Sequence, residues 1–475
     1  MGRIVSSALV WAIVLGLPVF ASAQTSTSQE VDEIFATYGD ATPGCSVAID
    51  RDDSALHVAG YGMADLEQNV PIREDTAFYA ASVSKQFVAM SALLLQQQGK
   101  IDLDLPVRTY LPSLPAYADR VTTRHLLQHT SGVRDYFTLF ALGNRLDGLV
   151  VTEEKIMEML ARQEALNFEP GEKYAYSNSA YFLISQIVKA ADGRNLNEFS
   201  QAYLFGPLGM GDSRFQHNHR YLVPRKAHGY APLEDGGYML ADSTLDVVGS
   251  GGMYTTVLDL TKWARNFRNN QLEGGVDTIE AMQTVGELNS GEKTDYGLGV
   301  GVTQYRGLAL RAHGGGLEGY RTYLMMFPEQ AFSIAILCND QKASTGEMAR
   351  AIAGIYLADD FTEEAPPKEQ TPEETDEPSP HAAMAVVDLA QYEASYYSHE
   401  VDGTQILAMN EDGLIFEWSP EMLHLEYIAD DQFGFSDYGF ELVFARDTSG
   451  KVTGFTYNGL GAAGVFFKRL GSDEK

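Results

Sequence analysis

The sequence predicts an α+β domain followed by a small all-β domain. The first 358 of the 475 residues mix amphipathic helical segments with alternating, β-rich runs. Residues 359–380 then hold nine acidic residues, five prolines and one lysine, and this composition leaves almost no apolar surface to bury. Short alternating runs separated by turn signals occupy residues 386–470. They are typical of a small barrel or sandwich.

The chain divides into four predicted segments. Arg3 precedes a mostly apolar run that ends at the small residues Ala21-Ser-Ala23, which is the pattern of a secretory signal peptide. We expect cleavage before Gln24, with a retained membrane anchor as the alternative. The mature protein is therefore expected in the periplasm or outside the cell. The predicted segments are residues 1–23 (signal peptide), 24–358 (first domain), 359–385 (acidic, proline-rich linker) and 386–475 (all-β domain).

Charge and cysteine content exclude some classes of partner. The formal net charge is -31, which argues against binding to nucleic acid or to anionic membrane surfaces. The two cysteines, Cys45 and Cys338, lie in β-rich runs. We interpret them as two buried free thiols, and a disulfide between neighbouring strands is the alternative.

The elements of the first domain follow from local patterns. Residues 43–49 and 56–62 predict a β-hairpin, because the polar segment Arg51–Ser54 separates two apolar runs. From Ser82 almost no helix breaker occurs before Gly99, which predicts a helix of about four to five turns. The other predicted elements are helices over 122–128, 152–163, 179–191, 257–269 and 346–357, a strand over 296–302 and three strands within 308–338.

Ser82 and Lys85 are the first candidate catalytic pair. Because they are three residues apart on one predicted helix, they share a helical face. A serine hydroxyl is a weak nucleophile, and a lysine stripped of water shifts toward the neutral amine that can take its proton. Ser290-Gly-Glu-Lys293 has the same spacing, but it lies in a polar stretch with no apolar helix behind it. We interpret that second copy as a surface loop.

Two further patterns supply candidates for proton transfer and substrate binding. Tyr176-Ser-Asn178 lies in a breaker-rich loop before a predicted helix. The phenol of Tyr176 can pass protons if a nearby lysine lowers its pKa, and Asn178 can hold Lys85 or a substrate amide. The alternative is that Asn178 only caps the next helix. His313-Gly314-Gly315 lies on a predicted strand where glycines let a substrate backbone approach closely, with a β-bulge as the alternative.

In this order along the chain, the three patterns resemble the class C β-lactamase and penicillin-binding-protein superfamily of serine hydrolases. The resemblance covers most of residues 30–358. It implies a three-layer α/β/α domain with an antiparallel sheet beside an all-α region, and the C-terminal part resembles the lipocalin-like domain of some related peptidases. The supporting phrases are Leu126–Gly132, Phe168–Gly171, Tyr176–Tyr181, Pro207–Met210 and Gly251–Tyr254.

The resemblance also implies roles for individual residues. Ser82 would be the acylated nucleophile, Lys85 the base or its partner, and Tyr176 the proton shuttle. The backbone N–H groups of Ser82 and Gly316 would form the oxyanion hole. The other implied or hypothesised substrate-binding residues are Asn178, His313, Gly314, Gly315 and Arg321.

One departure from the β-lactamase pattern bears on the substrate. β-Lactamases usually carry Lys-Thr-Gly where this chain has His313-Gly314-Gly315, so the ammonium that helps to receive a substrate carboxylate is missing. The histidine variant looks like that of the family's esterases and D-aminopeptidases. Arg321, eight residues further on the same hairpin, is a candidate replacement cation, and an ordinary surface arginine is the alternative.

These observations predict an exported serine hydrolase that cleaves an amide or ester through a Ser82 acyl-enzyme. A peptide with a D-amino acid and a small ester are the expected substrates, and the C-terminal domain is expected to limit substrate size. The alternatives are a weak β-lactamase and a non-catalytic protein that binds or senses peptidoglycan fragments. No cofactor or metal is expected. His125 and His129 have the spacing of a zinc pair, but no Glu stands next to His125 and Leu-Leu-Gln lies between the two, which favours helix packing or capping. His217 and His219 have no third ligand nearby. The oligomeric state stays open.

Overall fold

The computed structural model describes residues 19–144, 150–365, 388–411, 413–418, 421–459 and 461–471, without the side chains of 19–26. Its helices are α1 (Val19–Ile34), α2 (Lys85–Gln97), α3 (Thr123–Leu127), α4 (Tyr136–Leu142), α5 (Glu153–Arg162), α6 (Asn178–Asp192), α7 (Leu196–Ser200), α8 (Val257–Arg268), α9 (Gly275–Gln283) and α10 (Thr345–Tyr356). The strands of the first domain are β1 (Cys45–Arg51), β2 (Ser54–Tyr61), β3 (Met63–Asp65), β4 (Val70–Pro71), β5 (Phe78–Tyr79), β6 (Arg214–Phe215), β7 (Tyr230–Pro232), β8 (Tyr238–Leu240), β9 (Met253–Thr255), β10 (Gly301–Tyr305), β11 (Leu308–Leu317), β12 (Tyr320–Phe327) and β13 (Phe332–Cys338).

A six-stranded antiparallel sheet forms the centre of the first domain, in the order β10-β11-β12-β13-β1-β2. Its central strands are buried on both faces and carry apolar side chains that alternate between two clusters. Val47, Ile49 and Ile336 pack with α1 and α10, whereas Ala48 and Leu337 belong to the cluster that contains α2 and α8. The sheet therefore lies between two layers of helices, as the resemblance implied.

The predicted hairpin is confirmed as β1 and β2, and the predicted helices are confirmed within a few residues at their ends. The predicted strand over 296–302 is wrong over most of its length, because β10 begins only at Gly301. Gly299 has a φ of 77°, and the N–H of Gly297 donates to the carbonyl of Val300 at 2.9 Å. These glycines form a turn that packs on the beginning of α2, where a Cβ on Gly299 would lie 2.6 Å from the carbonyl oxygen of Lys85.

The two cysteines form a disulfide, so the interpretation as free thiols is wrong. Cys45 and Cys338 are direct register partners in the neighbouring strands β1 and β13, with their Cα atoms 4.0 Å apart. Because the two cysteines are 293 residues apart in the sequence, no local pattern indicates that they are neighbours. Only the pairing of the first long strand with the last one brings the two sulfur atoms together.

The C-terminal domain is a nine-stranded antiparallel sheet that curls into a nearly closed barrel. Its spatial order runs β17-β16-β15-β14-β22-β21-β20-β19-β18. Since β17 and β18 are separated by one residue yet lie at opposite edges of this order, the two edges must come close together. Aromatic side chains fill the interior. The strands are β14 (Ala394–Ser398), β15 (Gly403–Asn410), β16 (Gly413–Trp418), β17 (Glu421–His424), β18 (Glu426–Ala429), β19 (Gln432–Phe435), β20 (Phe440–Arg446), β21 (Val452–Gly459) and β22 (Ala462–Arg469).

Two predicted segments fall largely outside the described residues. Residues 1–18 of the predicted signal peptide and residues 366–385 of the predicted linker lie there. The described beginning of the linker packs on the first domain, because Phe361 lies under the guanidinium of Arg306 at 4.0 Å and Asp360 pairs with Arg51. None of the described helices combines the length and apolar character that crossing a membrane would require.

Candidate active site

Ser82 lies in a single 3-10 turn, Ala81–Ser84, that runs directly into α2. Ala81 adopts a φ of 46°, in the left-handed region that costs a non-glycine residue about 1–2 kcal/mol. The hydroxyl of Thr322 on β12 donates to the carbonyl of Ala80 at 3.0 Å and ties this turn to the sheet. The neighbouring sheet and α2 thus hold the strained turn so that Ser82 faces an open cavity.

Lys85 is fully buried, and every hydrogen-bonding position of its amine is occupied. Its Nζ lies 3.0 Å from Ser82 Oγ, 3.1 Å from Asn178 Oδ1 and 2.6 Å from the carbonyl oxygen of Ser250. Burial lowers the pKa of the Lys85 ammonium to about 7, and the nearby carboxylate of Asp135 opposes this shift. Near neutral pH a substantial fraction of Lys85 is therefore a neutral amine within reach of the serine hydroxyl.

Asp135 is a buried carboxylate that sequence reasoning missed. Its Oδ2 accepts the backbone N–H of Asn178 at 2.5 Å, and its Oδ1 accepts the backbone N–H of Phe137 at 2.9 Å. Burial raises the pKa of the Asp135 carboxyl above its usual value, although these hydrogen bonds and the charge of Lys85 act in the opposite direction. Asp135 thus caps α4 and holds the first residue of α6 at the same time. Its position three residues after the phrase Leu126–Gly132 is the only signal that could have drawn attention to it.

Tyr176 lies beside the amine of Lys85, whose Nζ is 4.8 Å from the centre of the phenol ring. Although 38% of the residue's surface is exposed, desolvation by the surrounding groups raises the pKa of the Tyr176 phenol, and a hydrogen bond with Ser82 lowers it only in part. The expectation that a lysine lowers this pKa is therefore not met. Tyr176 carries its proton at neutral pH and can donate it.

A cluster of aromatic rings supports the back of the site. The buried ring of His129 lies 4.3 Å from Tyr176 and 4.8 Å from Tyr296, measured between ring centres. Burial holds the pKa of His129 well below its usual value, and its Nδ1 accepts the backbone N–H of Ser177. His125 instead caps α3 together with Thr122. The two histidines therefore take separate structural positions.

His313 on β11 is neutral and has both ring nitrogens engaged. Its Nδ1 donates to the carbonyl of Gly314 at 2.6 Å, so Nε2 accepts the hydroxyl of Tyr296 at 3.0 Å. Burial and the charge of Lys85 lower the pKa of His313 to about 4. His313 therefore offers no positive charge to a substrate carboxylate.

Arg321 lies on β12 opposite Gly316 in the register. Its Nη1 donates to the backbone carbonyls of Glu318 and Tyr320 at 2.9 Å and 2.8 Å. Arg321 is not among the residues that line the cavity.

Gly314 and Gly315 are also outside the cavity lining, but a Cβ on Gly315 would lie 2.6 Å from the carbonyl oxygen of Ala80. The absence of a side chain at Gly315 therefore allows β11 to pack closely against the turn that carries Ser82.

A cavity of about 290 Å³ opens over Ser82. Among the residues that the structure describes, none that lines this cavity carries a charge. Ser82, Tyr176, Asn178 and Gly316 lie in its wall, and Lys85 lies buried behind them. The lining residues are Tyr79, Ala81, Ser82, Tyr136, Phe137, Tyr176, Asn178, Leu245, Val247, Ser250, Gly251, Gly316 and Leu317.

The remaining sequence candidates lie elsewhere. Ser290 and Lys293 are exposed on a tight turn, as predicted. His219 bonds to Asp246 at 2.9 Å, and the ring of His217 packs edge-on against Tyr221. The structure thus gathers Ser82, Lys85, Tyr176, Asn178 and Gly316 at one cavity and leaves the other candidates at its edge or away from it.

A family model and several curated proteins match most of the first domain. The family model described as Beta-lactamase matches residues 31–357. Penicillin-binding protein 4* of Bacillus subtilis is 28% identical over 348 residues, which are 69% of this chain and 75% of that protein. A D-aminopeptidase of Gluconobacter oxydans is 27% identical over 314 residues, which are 66% of this chain and 58% of that protein. The chain thus spans less than two thirds of the length of this D-aminopeptidase.

A solved structure resembles almost the whole chain. It is the octameric penicillin-binding protein homologue from Pyrococcus abyssi, with a TM-score of 0.62 at 21% sequence identity. The match covers 95% of this chain and 100% of that one. At this identity the likeness shows the fold alone.

Proposed function

This chain belongs to the β-lactamase family of serine hydrolases, and we propose that it cleaves an amide or ester bond through an acyl-enzyme formed on Ser82. The observation that carries the proposal is the contact of 3.0 Å between Ser82 Oγ and the buried amine of Lys85. A nucleophile paired with a desolvated base is not needed for binding alone. This argues against a protein that only binds peptidoglycan fragments.

The proposed reaction uses the proton positions of the site. Neutral Lys85 takes the proton of Ser82 as Oγ bonds to the carbonyl carbon, and the N–H groups of Ser82 and Gly316 receive the developing oxyanion. Tyr176 donates its proton to the leaving nitrogen or oxygen as that bond breaks, and the Lys85 ammonium returns a proton to Tyr176. Water then attacks the acyl group by the reverse sequence and frees Ser82.

The cavity supports a compact, uncharged acyl group. Phe137, Leu245, Val247 and Leu317 give it an apolar surface, and no described lining residue is charged. Apolar lining favours apolar groups through desolvation. We therefore propose small esters and amides as preferred substrates. An amide of a D-amino acid is the second candidate, because a D-aminopeptidase is among the similar proteins.

Efficient β-lactam hydrolysis is not proposed. The β-lactam carboxylate requires a cation, whereas His313 is neutral and the Arg321 guanidinium bonds to backbone carbonyls. Any β-lactamase activity should accordingly be weak.

We also propose that the protein is exported, with cleavage before Gln24 and a first domain that ends near residue 358. The Cys45–Cys338 disulfide supports this location, because such bonds persist in oxidising compartments.

A substrate panel with matched serine variants tests the proposed function. The panel contains p-nitrophenyl esters of short acids, D-amino-acid amides and nitrocefin. We expect turnover of the esters to exceed that of the amides, with nitrocefin last. Ser82→Ala should lower turnover on the order of a thousandfold or more. The other serine among the described lining residues, Ser250, shares a hydrogen bond of 2.8 Å with the hydroxyl of Tyr136. Ser290→Ala, in the exposed copy of the same spacing, should keep the wild-type rate.

Mass spectrometry after reaction with a fluorophosphonate probe provides a second measurement. A single adduct on the peptide that contains Ser82 is expected. An adduct on another serine, or full turnover by Ser82→Ala, would contradict the proposed function.

A further inference from the structure

The C-terminal domain touches the catalytic domain at α4, the short helix that contributes Tyr136 and Phe137 to the cavity wall. No described residue of 388–471 lines the cavity itself. The hypothesis that this domain limits substrate size by covering the cavity therefore gains no support from the lining. Its contacts lie behind the site instead.

The turn between β21 and β22 holds the beginning of α4. The carbonyl of Gly461 accepts the backbone N–H of Asp135 at 2.6 Å and the side-chain amide of Asn167 at 3.1 Å. In return, the Asn167 side chain accepts the N–H of Ala463 at 2.8 Å. Gly461 has a φ of 83°, and a Cβ there would lie 2.4 Å from the hydroxyl oxygen of Thr138.

A buried ion pair reinforces this contact. Arg134 is only 2% exposed, and it pairs with Glu400 of the C-terminal domain. Its guanidinium also donates to the carbonyl of Ala463 at 2.7 Å and to the side chain of Gln163 at 2.9 Å. A buried ion pair with its hydrogen bonds satisfied is costly to separate. The two domains therefore form one continuous polar interface here.

The same domain holds the far end of α4. The side-chain amide of Gln405 donates to the carbonyl of Leu142 at 2.8 Å. Gly403 approaches so closely that a Cβ on it would lie 2.6 Å from the Cα of Gly143. Both ends of α4 are thus fixed by the barrel.

From the beginning of α4 the contacts continue to the candidate nucleophile. The N–H of Asp135 donates to the Gly461 carbonyl, and the Asp135 carboxylate accepts the N–H of Asn178. Asn178 accepts a hydrogen bond from Lys85, and Lys85 lies 3.0 Å from Ser82 Oγ. A continuous series of hydrogen bonds therefore connects Gly461 of the barrel with Ser82.

We propose that Asp135 is a positioning residue through which the C-terminal domain holds Asn178, Lys85 and the α4 wall of the cavity in their working arrangement. The catalytic role of Lys85 in this proposal rests on the proposed function. The barrel is then a structural part of the active site and acts from behind it. A displacement of about 1 Å at a catalytic group can cost about a hundredfold in rate, which sets the size of the expected effect.

A pair of glycine variants tests the domain contact. Gly461→Ala places a methyl group against Thr138. Gly450→Ala changes another left-handed glycine of the same domain, on a turn with nothing within 4 Å. For Gly461→Ala we expect kcat/KM for a short ester to fall about tenfold to a hundredfold. For Gly450→Ala we expect a change below about twofold. Equal effects of the two variants on turnover would overturn the proposal.

Amide hydrogen exchange gives a readout that does not depend on turnover. In Gly461→Ala, the peptides that contain Asp135 and Asn178 should exchange faster than in the wild type, while Gly450→Ala leaves them unchanged. Gln405→Leu, which removes the contact at the other end of α4, should accelerate exchange near Leu142. If the wild type hydrolyses nothing in the panel, the proposed function fails, while these exchange rates still decide the role of the barrel. Unchanged exchange in Gly461→Ala would refute the domain contact.

The pH profile of Asp135→Asn distinguishes an action of Asp135 on Lys85 from a general effect on the stability of the protein. The titratable groups that face Lys85 are Asp135, Tyr176, Tyr181, His129 and His313. Asp135 is the one that opposes deprotonation of the amine. Its neutral replacement should therefore move the acidic limb of kcat/KM to lower pH, besides lowering kcat. A variant with the wild-type limb would show that Asp135 does not act on Lys85.

Discussion

At the scale of single residues, the site is governed by the protonation of Lys85. Full burial makes its charged form costly, and Asp135 offsets only part of that cost. Burial raises the pKa of Tyr176 and lowers that of His313, because it disfavours the charged phenolate and the charged imidazolium alike. The site therefore contains a neutral histidine, a protonated phenol and an amine that titrates near neutrality.

This arrangement predicts the pH dependence of turnover. The proposed base must be neutral, and the pKa of Lys85 is lowered to about 7. We expect kcat/KM for a neutral ester to rise through a single limb near pH 7 as the ammonium loses its proton. Because the pKa of Tyr176 is raised, no descending limb should occur below about pH 10. Initial rates between pH 5 and 10 check this, and a profile that falls between pH 7 and 9 would contradict it.

At the scale of elements, the hairpin of β11 and β12 packs its edge against the turn of Ser82. The contact is close at Gly315, where a Cβ would meet the Thr322 hydroxyl at 2.3 Å and the Ala80 carbonyl at 2.6 Å. At the neighbouring Gly316, a Cβ would meet only the side chain of Arg321, at 3.5 Å. Two adjacent glycines thus have different steric demands.

This difference predicts the stability of two alanine variants. Gly315→Ala should lower the free energy of unfolding by about 1–3 kcal/mol, the usual cost of an overpacked site, because the backbone of Ala80 cannot yield easily. Gly316→Ala should change it by less than about 0.5 kcal/mol. Urea unfolding measures both values. Equal stability of the two variants would show that β11 and the Ser82 turn are not in tight contact.

At the scale of the whole molecule, the disulfide joins two strands that lie far apart in sequence. Cys45 on β1 and Cys338 on β13 enclose most of the catalytic domain between them. Cross-linking such distant residues restricts the unfolded chain more than the folded one. The bond therefore stabilises the centre of the sheet. The β11–β12 hairpin belongs to this sheet, and the Ser82 turn packs against that hairpin.

This role predicts a measurable loss of stability without the bond. The double variant Cys45→Ala/Cys338→Ala should unfold with about 2–5 kcal/mol less free energy than the oxidised wild type. Dithiothreitol should lower the melting temperature of the wild type and leave that of the double variant unchanged. Equal free energies of unfolding for the double variant and the oxidised wild type would show that the bond contributes nothing to stability.

Local patterns in the sequence determined a large part of this structure. Helix α2 followed from a run without breakers that ends at Gly99, whose φ is 67°. The hairpin of β1 and β2 and the small β domain followed from alternation and turn residues. The pair Ser82 and Lys85 could be found because three residues of helical spacing already bring their side chains to one face.

Tertiary structure alone decided the features that depend on distant residues. The pairing of Cys45 with Cys338, the buried carboxylate of Asp135 and the contact of Gly461 with α4 join segments hundreds of residues apart or carry no local pattern. The neutral state of His313 also required its surroundings, since a pKa depends on burial and neighbouring charges. Local sequence patterns are enough to show which groups can react. The packing of distant segments sets their protonation and their positions, because desolvation and contact arise only when the chain is folded.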